Sequence, residues 1–342
     1  MTRRLISSRA APPARVGSSP LRAAATKPAR APGTAPVRAG TCSPLRAAAT
    51  DSIAVAAAAD PNWRRYASPL PPLGDKPSDL VTVVPGVSWS IRQDFPGPGK
   101  SGINLNMCLF RTAGGLVAYA PIGATPEVVA MVRAIDPERG LAHLIVPNMS
   151  PEHGAINAVG FADAFPDAVI WAVEGLLEGK GLAGAPGGIG AASKRLAAHP
   201  TSRRLDRAAL REATGGDVDY ALFEERRGLF REATLLVRPA AAVAFADLGF
   251  GGFNDEGLVI APQRWMARLV GVYRRLGSPV GWAVMQSDKE AAARWAADIT
   301  SWAREQLPAG APEHVFGSHL TPSFPGAKEE LERGFAFVPL KF

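Results

Sequence analysis

The chain has 342 residues, 47% of them hydrophobic and 20% charged, enough for one large or two ordinary domains with a substantial core. Its net charge of +7 is confined to the leader: residues 1–50 hold nine Arg and Lys and no acid, leaving 29 basic against 31 acidic side chains in the remainder. A body so nearly neutral gives no basic surface for nucleic acid, and no apolar run reaches the roughly 18–20 residues that would span a bilayer.

Residues 1–50 are rich in Ala, Arg, Pro, Ser and Thr, and the octamer SPLRAAAT occurs twice, at 19–26 and 43–50. So few large apolar residues cannot offset the entropy of ordering, and an acid-poor, Arg- and Ser-containing leader has the composition of an organelle transit peptide. Chloroplast is the expected destination, with mitochondrion the alternative. Residues 51–79 are a Pro- and Ala-rich linker, and the folded domain is expected over 80–342. Of the two cysteines, Cys42 lies in the leader and Cys108 in the body, so a processed chain holds no internal disulfide.

Val81–Phe95 reads as a strand pair broken at Pro85-Gly86. The following FPGPGKSG is not a phosphate-binding loop, because the spacing needs Gly at 94 and that residue is Asp. Ile103–Arg111 and Leu116–Ala120 form a hairpin across Ala113-Gly114-Gly115. A helix follows over 125–135, with Thr125 as cap, Pro126 in its first turn, and Val128, Val129, Val132 and Ile135 on its apolar side.

The central stretch is LAHLIVPNMSPEHGAINAVGFADAFPDAVIWAVEG, Leu141 to Gly175. An apolar strand stops at Pro147-Asn148. A polar loop carries Ser150, Glu152 and His153. A helix with Ile156, Val159, Phe161, Ala164 and Phe165 on one side leads to a second strand over 168–173. This is the strand–loop–helix–strand unit of a layered α/β domain, in which chemistry sits on loops just beyond the carboxyl ends of strands. Residues 176–215 are Gly- and Ala-rich and read as a variable insertion with one or two short helices. The run at 184–190 lacks the spacing of a dinucleotide loop.

Tyr220–Arg226 is a candidate strand, and Glu232–Arg238 with Ala241–Ala246 a hairpin around Pro239 that ends at Asp247. Asn254-Asp255-Glu256 reads as a solvated loop near it. Helices are expected over 261–276 and 288–306, a short strand over His314–Ser318 ending at His319, and a last helix over 326–338. Two strand-rich blocks, each followed by helices, give the expected fold class: α/β, a four-layer αββα sandwich.

These features together resemble the metallo-β-lactamase-like superfamily. The relevant strings are IVPNMSPEHGAINAVGFADAFPDAVIWAVEGL, FREATLLVRPAAAVAFADLGF, VFGSH and GAKEELERGFAFV. Within the superfamily the chain is similar to a domain-of-unknown-function family of photosynthetic lineages. The resemblance covers about residues 80–342. It implies one or two metals, normally zinc, held by a His-x-His-x-Asp-His loop, a bridging Asp and a final His. At that spacing Asn148 and Ser150 stand where the first two His belong, Glu152 where the Asp belongs, and His153 on the last His. Asp247 matches the bridging Asp and His319 the final His. No His in 200–240 completes the first metal position.

The resemblance therefore implies a depleted site. Glu152, His153, Asp247 and His319 are the candidate ligands of one divalent metal (zinc, iron or manganese), and Asn148 and Ser150 the groups that would orient substrate or water. It also implies a degenerate protein that is non-catalytic or binds a small metabolite. The alternative is a mononuclear metal-dependent hydrolase of an ester, thioester or phosphoester.

Overall fold

A computed structural model describes residues 78–96, 102–178, 189–228, 230–252, 265 and 267–342. The leader, nearly all of the linker, the centre of the FPGPGKSG loop and Asn254-Asp255-Glu256 lie outside these residues.

The first sheet opens with antiparallel β1 (Asp79–Val84), β2 (Ser88–Pro96), β3 (Gly102–Thr112) and β4 (Gly115–Tyr119). It continues in parallel through β5 (Leu141–Val146), β6 (Val169–Ala172) and β7 (Ser202–Arg204), seven strands in chain order. The crossover between β4 and β5 is α1 (Pro126–Ile135). Its N-terminus forms as expected: Thr125 Oγ1 accepts the Val128 amide at 3.0 Å, and Pro126 supplies a first-turn residue that needs no amide partner.

Between β5 and β6 the expected single helix is divided. A 3₁₀ turn, Pro151–His153, ends at Gly154, whose φ of 120° breaks the path, and α2 (Ala158–Ala164) follows. Residues 189–213 form α3 (Ile189–Ala198) and α4 (Arg207–Ala213), where one or two short helices were expected, and also contribute the edge strand β7.

The second sheet contains β8 (Val218–Glu224), β9 (Arg231–Val237), β10 (Ala242–Phe245), β13 (His314–Gly317) and β14 (Ser323–Phe324), in the order β14-β13-β10-β9-β8. A two-stranded ribbon, β11 (Phe250–Gly251) with β12 (Leu276–Gly277), lies beside it. The helix expected to reach 276 stops near Leu269, because Gly271 (φ 77°) and Arg274 (φ 55°) take left-handed conformations. Pro279 then starts α5 (Pro279–Ser287), which the sequence reading lacked. Then come α6 (Lys289–Gln306), capped by Asp288 on the Ala291 amide, and α7 (Ala327–Gly334).

Two apolar clusters set the layers. In one, Met107, Leu109 and Tyr119 of the first sheet join Leu235, Ala242 and Ala244 of the second, with Val128, Val132 and Phe161 from the outer helices. In the other, the second sheet's Phe223, Leu236, Val243, Phe245 and Val315 meet Trp295, Ile299, Leu331 and Phe335 from α6 and the C-terminal segment. Alternate residues of β9 and β10 thus serve opposite clusters, as strand periodicity requires. The fold is the expected α/β sandwich, helices–sheet–sheet–helices.

Candidate functional site

Three strands end at one place. β10 and β13 run parallel with Phe245 opposite Gly317. Asp247 and His319 each lie two residues beyond that pair, so their side chains emerge at the same level. Ser318 fixes the step, donating both its amide (3.0 Å) and its hydroxyl (2.9 Å) to the Phe245 carbonyl. The third strand is β5, in the other sheet. Its extension is tied across: Ala233 N donates to Pro147 O at 2.8 Å, and Asn148 bridges to Glu232. The polar loop 148–153 thereby comes over the ends of β10 and β13.

Asp247 is the hub. Its Oδ1 faces two imidazoles, His153 Nε2 at 3.0 Å and His319 Nε2 at 3.4 Å. Its Oδ2 accepts from Asn148 Nδ2 at 2.8 Å and Ser150 Oγ at 2.9 Å. The two imidazoles meet edge to face, centroids 4.7 Å apart, and Phe250 packs on the other side of His319 at 5.4 Å. Asn148 also accepts the Ser150 amide through Oδ1 at 3.1 Å, the local turn that aims both side chains at one carboxylate.

Of the four candidate ligands three converge. One donor atom each from His153, Asp247 and His319 lies within 4.8 Å of the others. Glu152 is outside the group, which corrects the expectation of a fourth ligand. Asn148 and Ser150 are at the site, with their donors engaged by Asp247.

Glu232 was missed by sequence reasoning. It is fully buried at the start of β9, and its carboxylate accepts the amides of Ala246 (2.9 Å), Asp247 (2.7 Å) and Leu248 (3.1 Å), plus Asn148 Nδ2 at 3.2 Å. A lone acid beginning an otherwise apolar strand was its only signal. Asn104 and Asn106, alternate residues of β3, are also buried and were missed. Asn106 Nδ2 donates to Gly317 O at 2.8 Å and Asn104 Nδ2 to Leu320 O at 3.1 Å, anchoring both sides of His319 to the first sheet. Two amides spaced i, i+2 on one strand face were a legible sign of a polar seam in the core.

The electrostatics follow from burial and close charges. Burial alone would lower the His153 pKa. The Asp247 charge and hydrogen bond, with Glu152 and Glu232 behind them, outweigh it and raise the value to about 9. Asp247 pays desolvation too, yet His153 and His319 hold it well below the usual carboxylate range. Burial first, and then the Asp247 charge, push Glu232 up to about 7, against the stabilising amides and His153.

The donor set has the chemistry for one metal. Two ligands each about 2.1 Å from a tetrahedral metal are about 3.4 Å apart; Asp247 Oδ1 stands 3.0 and 3.4 Å from the two imidazole nitrogens, and all three donors lie within 4.8 Å of one another. A second metal position does not fit: amide and hydroxyl oxygens are poor ligands for it, and Asn148 and Ser150 are already turned to Asp247 Oδ2.

Layer order and a polar cluster at the strand ends define an α/β sandwich with a candidate site. Residues 86–177 match the model of the domain of unknown function DUF4336. The chain is similar to the metallo-β-lactamase FIM-1 from Pseudomonas aeruginosa in its mono-zinc form, at 9% identity and a TM-score of 0.43, over 75% of this chain and 93% of that one. A metallo-β-lactamase from Erythrobacter litoralis is 12% identical with a TM-score of 0.44, over 76% and 95%. A mutant flavo di-iron protein from Thermotoga maritima is 13% identical with a TM-score of 0.44, over 76% of this chain and 61% of that one. Comparison with curated proteins finds no match.

Proposed function

We propose that this is a degenerate member of the metallo-β-lactamase fold that keeps a one-metal centre and binds a small metabolite without hydrolysing it. His153, Asp247 and His319 would hold zinc, iron or manganese. The observation that carries the reading is the double engagement of Asp247 Oδ2 by Asn148 and Ser150. The groups at the first metal position act as braces for the remaining ligand, and neither offers an imidazole or an unengaged donor for a nucleophile. Their role is positioning, with Glu232 behind them.

Elemental analysis of purified protein tests this. The expected result is about one equivalent of metal, falling to background in His153→Ala and Asp247→Asn, and no turnover of ester, thioester or phosphoester substrates. Two equivalents, or equal negligible metal in wild type and variants, would sink the one-metal reading.

A second reading, a mononuclear hydrolase, is favoured by one feature: three protein ligands leave a fourth position open, as in catalytic zinc sites. A bound metal there would supply Lewis-acid and water-activating chemistry. Metal-dependent hydrolysis lost in His153→Ala would select this reading over the first.

A further inference from the structure

We infer that a second site, separate from the His–Asp–His cluster, binds an amphipathic anion with its apolar tail in a cleft beside the β11–β12 ribbon. The cleft encloses about 530 Å³, within the range of small-molecule sites. Its walls include Leu269, Val270, Trp282 and Phe337, and Arg275 and Arg333 lie along it.

Three observations converge. The large hydrophobics that stand exposed among the described residues are Trp265, Leu269, Val270 and Trp282, at 63, 67, 41 and 57%. Scattered exposed apolar side chains need no explanation, but these fall within 18 residues of sequence, and three of the four line the cleft. Trp265 and Leu269, four apart on one helical turn, share a face, while Ala267 between them is buried.

Charge is the second observation. The cleft lining holds two guanidinium groups, Arg275 and Arg333, and no acid. Arg333 is held in place by Glu330, which also accepts the Leu276 amide at 2.8 Å, and its side chain stays 47% exposed. Arg275 Nε donates to Gly271 O at 2.9 Å, so its planar fork is held at the cleft wall. Apolar walls with guanidinium groups complement a molecule that has a hydrocarbon part and an acidic head.

The third observation is shape. The surface is concave and of ligand size, which selects a single amphiphile taken from solution over a flat lipid interface. Its floor is firm: Ser278 Oγ donates to Leu248 O, and Gly277 packs against the Gly271 carbonyl.

The test is calorimetric titration of the full chain with sodium dodecanoate below its micelle concentration. Dodecanol, dodecyltrimethylammonium and phosphatidylglycerol vesicles form the parallel arms. Saturable 1:1 binding of dodecanoate is expected, at least tenfold tighter than the alcohol or the cation. Arg275→Gln is expected to weaken it about tenfold. Ala283→Trp, adding bulk at an exposed position on the cleft wall, is expected to abolish it without unfolding the chain. His153→Ala is expected to leave it unchanged, which separates this site from the proposed metal centre. Equal affinity for anion and cation, or binding unaffected by Ala283→Trp, would overturn the inference. So would binding to vesicles with none to monomeric dodecanoate, which would make the face a bilayer contact.

Discussion

Glu232→Gln isolates the contribution of the buried carboxylate behind Asp247. Oε1 accepts the amides of Ala246 and Leu248, at 2.9 and 3.2 Å. Oε2 accepts those of Asp247 and Leu248, at 2.7 and 3.1 Å, and Asn148 Nδ2 at 3.2 Å. A glutamine keeps one acceptor oxygen and replaces the other with a donor. Placed at Oε2, that oxygen keeps Asp247, Leu248 and Asn148 but leaves the Ala246 amide facing an NH₂ group. Placed at Oε1, it loses Asp247 and Asn148 instead. Either arrangement strands at least one buried amide, which costs about 1–3 kcal/mol, partly offset by removing a negative charge beside Asp247. Because the amides concerned form the backbone that aims Asp247, metal affinity is expected to fall about 10- to 100-fold along with stability, the range for removing a partner of a metal ligand. Urea unfolding of the metal-free protein and competitive zinc titration measure the two effects. Unchanged zinc affinity in a variant destabilised by more than 1 kcal/mol would refute the positioning argument and leave Glu232 a purely structural residue.

Other outcomes follow from the same geometry. Gly154 has φ 120°, and an added Cβ would lie 2.8 Å from Pro121 Cδ, so Gly154→Ala is expected to displace His153 and lower zinc affinity at least tenfold; unchanged affinity would show the turn to be pliable. In the metal-free protein, the raised His153 pKa adds stability that is fully present below about 6.5 and lost as pH rises through about 9, at most about 3 kcal/mol. The raised Glu232 pKa acts in the same direction between about 4.5 and 7, since its folded form prefers the proton. Urea midpoints are therefore expected to fall from pH 5 toward 9, with the upper part of the fall absent in His153→Gln; a rise over that interval would contradict the assignment. On the one-metal reading, zinc would have to displace the His153 proton, so affinity is expected to rise by up to tenfold per pH unit toward 9, read by competitive titration. Fusion of residues 1–50 to a fluorescent reporter is expected to direct it to the chloroplast, and cytosolic fluorescence would refute the reading of the leader.

The elements were legible because their signals are local. The Thr125-Pro126 start of α1 and the β9–β10 hairpin around Pro239 each rest on residues a few positions apart. The helix expected through 276 failed at Gly271 and Arg274, where left-handed backbone overrides an apolar period that continues beyond them. At the site, His153, Asp247 and His319 were named in advance through the family resemblance, which matches them to its ligand positions, and parallel pairing of Phe245 with Gly317 sets two of them level. Glu152 was misplaced because adjacency in sequence says nothing about direction once the chain enters a 3₁₀ turn. Glu232, Asn104 and Asn106 act from other strands, through contacts spanning from 14 residues to more than 200, so no local pattern connects them to Asp247 or His319. The residue types of the centre were therefore set by the sequence near it. Which of them meet, and which buried groups hold them, was decided by the tertiary structure: pairing within the second sheet sets β9, β10 and β13 side by side, and packing of the first sheet on it brings the end of β5 and the amides of β3 within hydrogen-bonding distance.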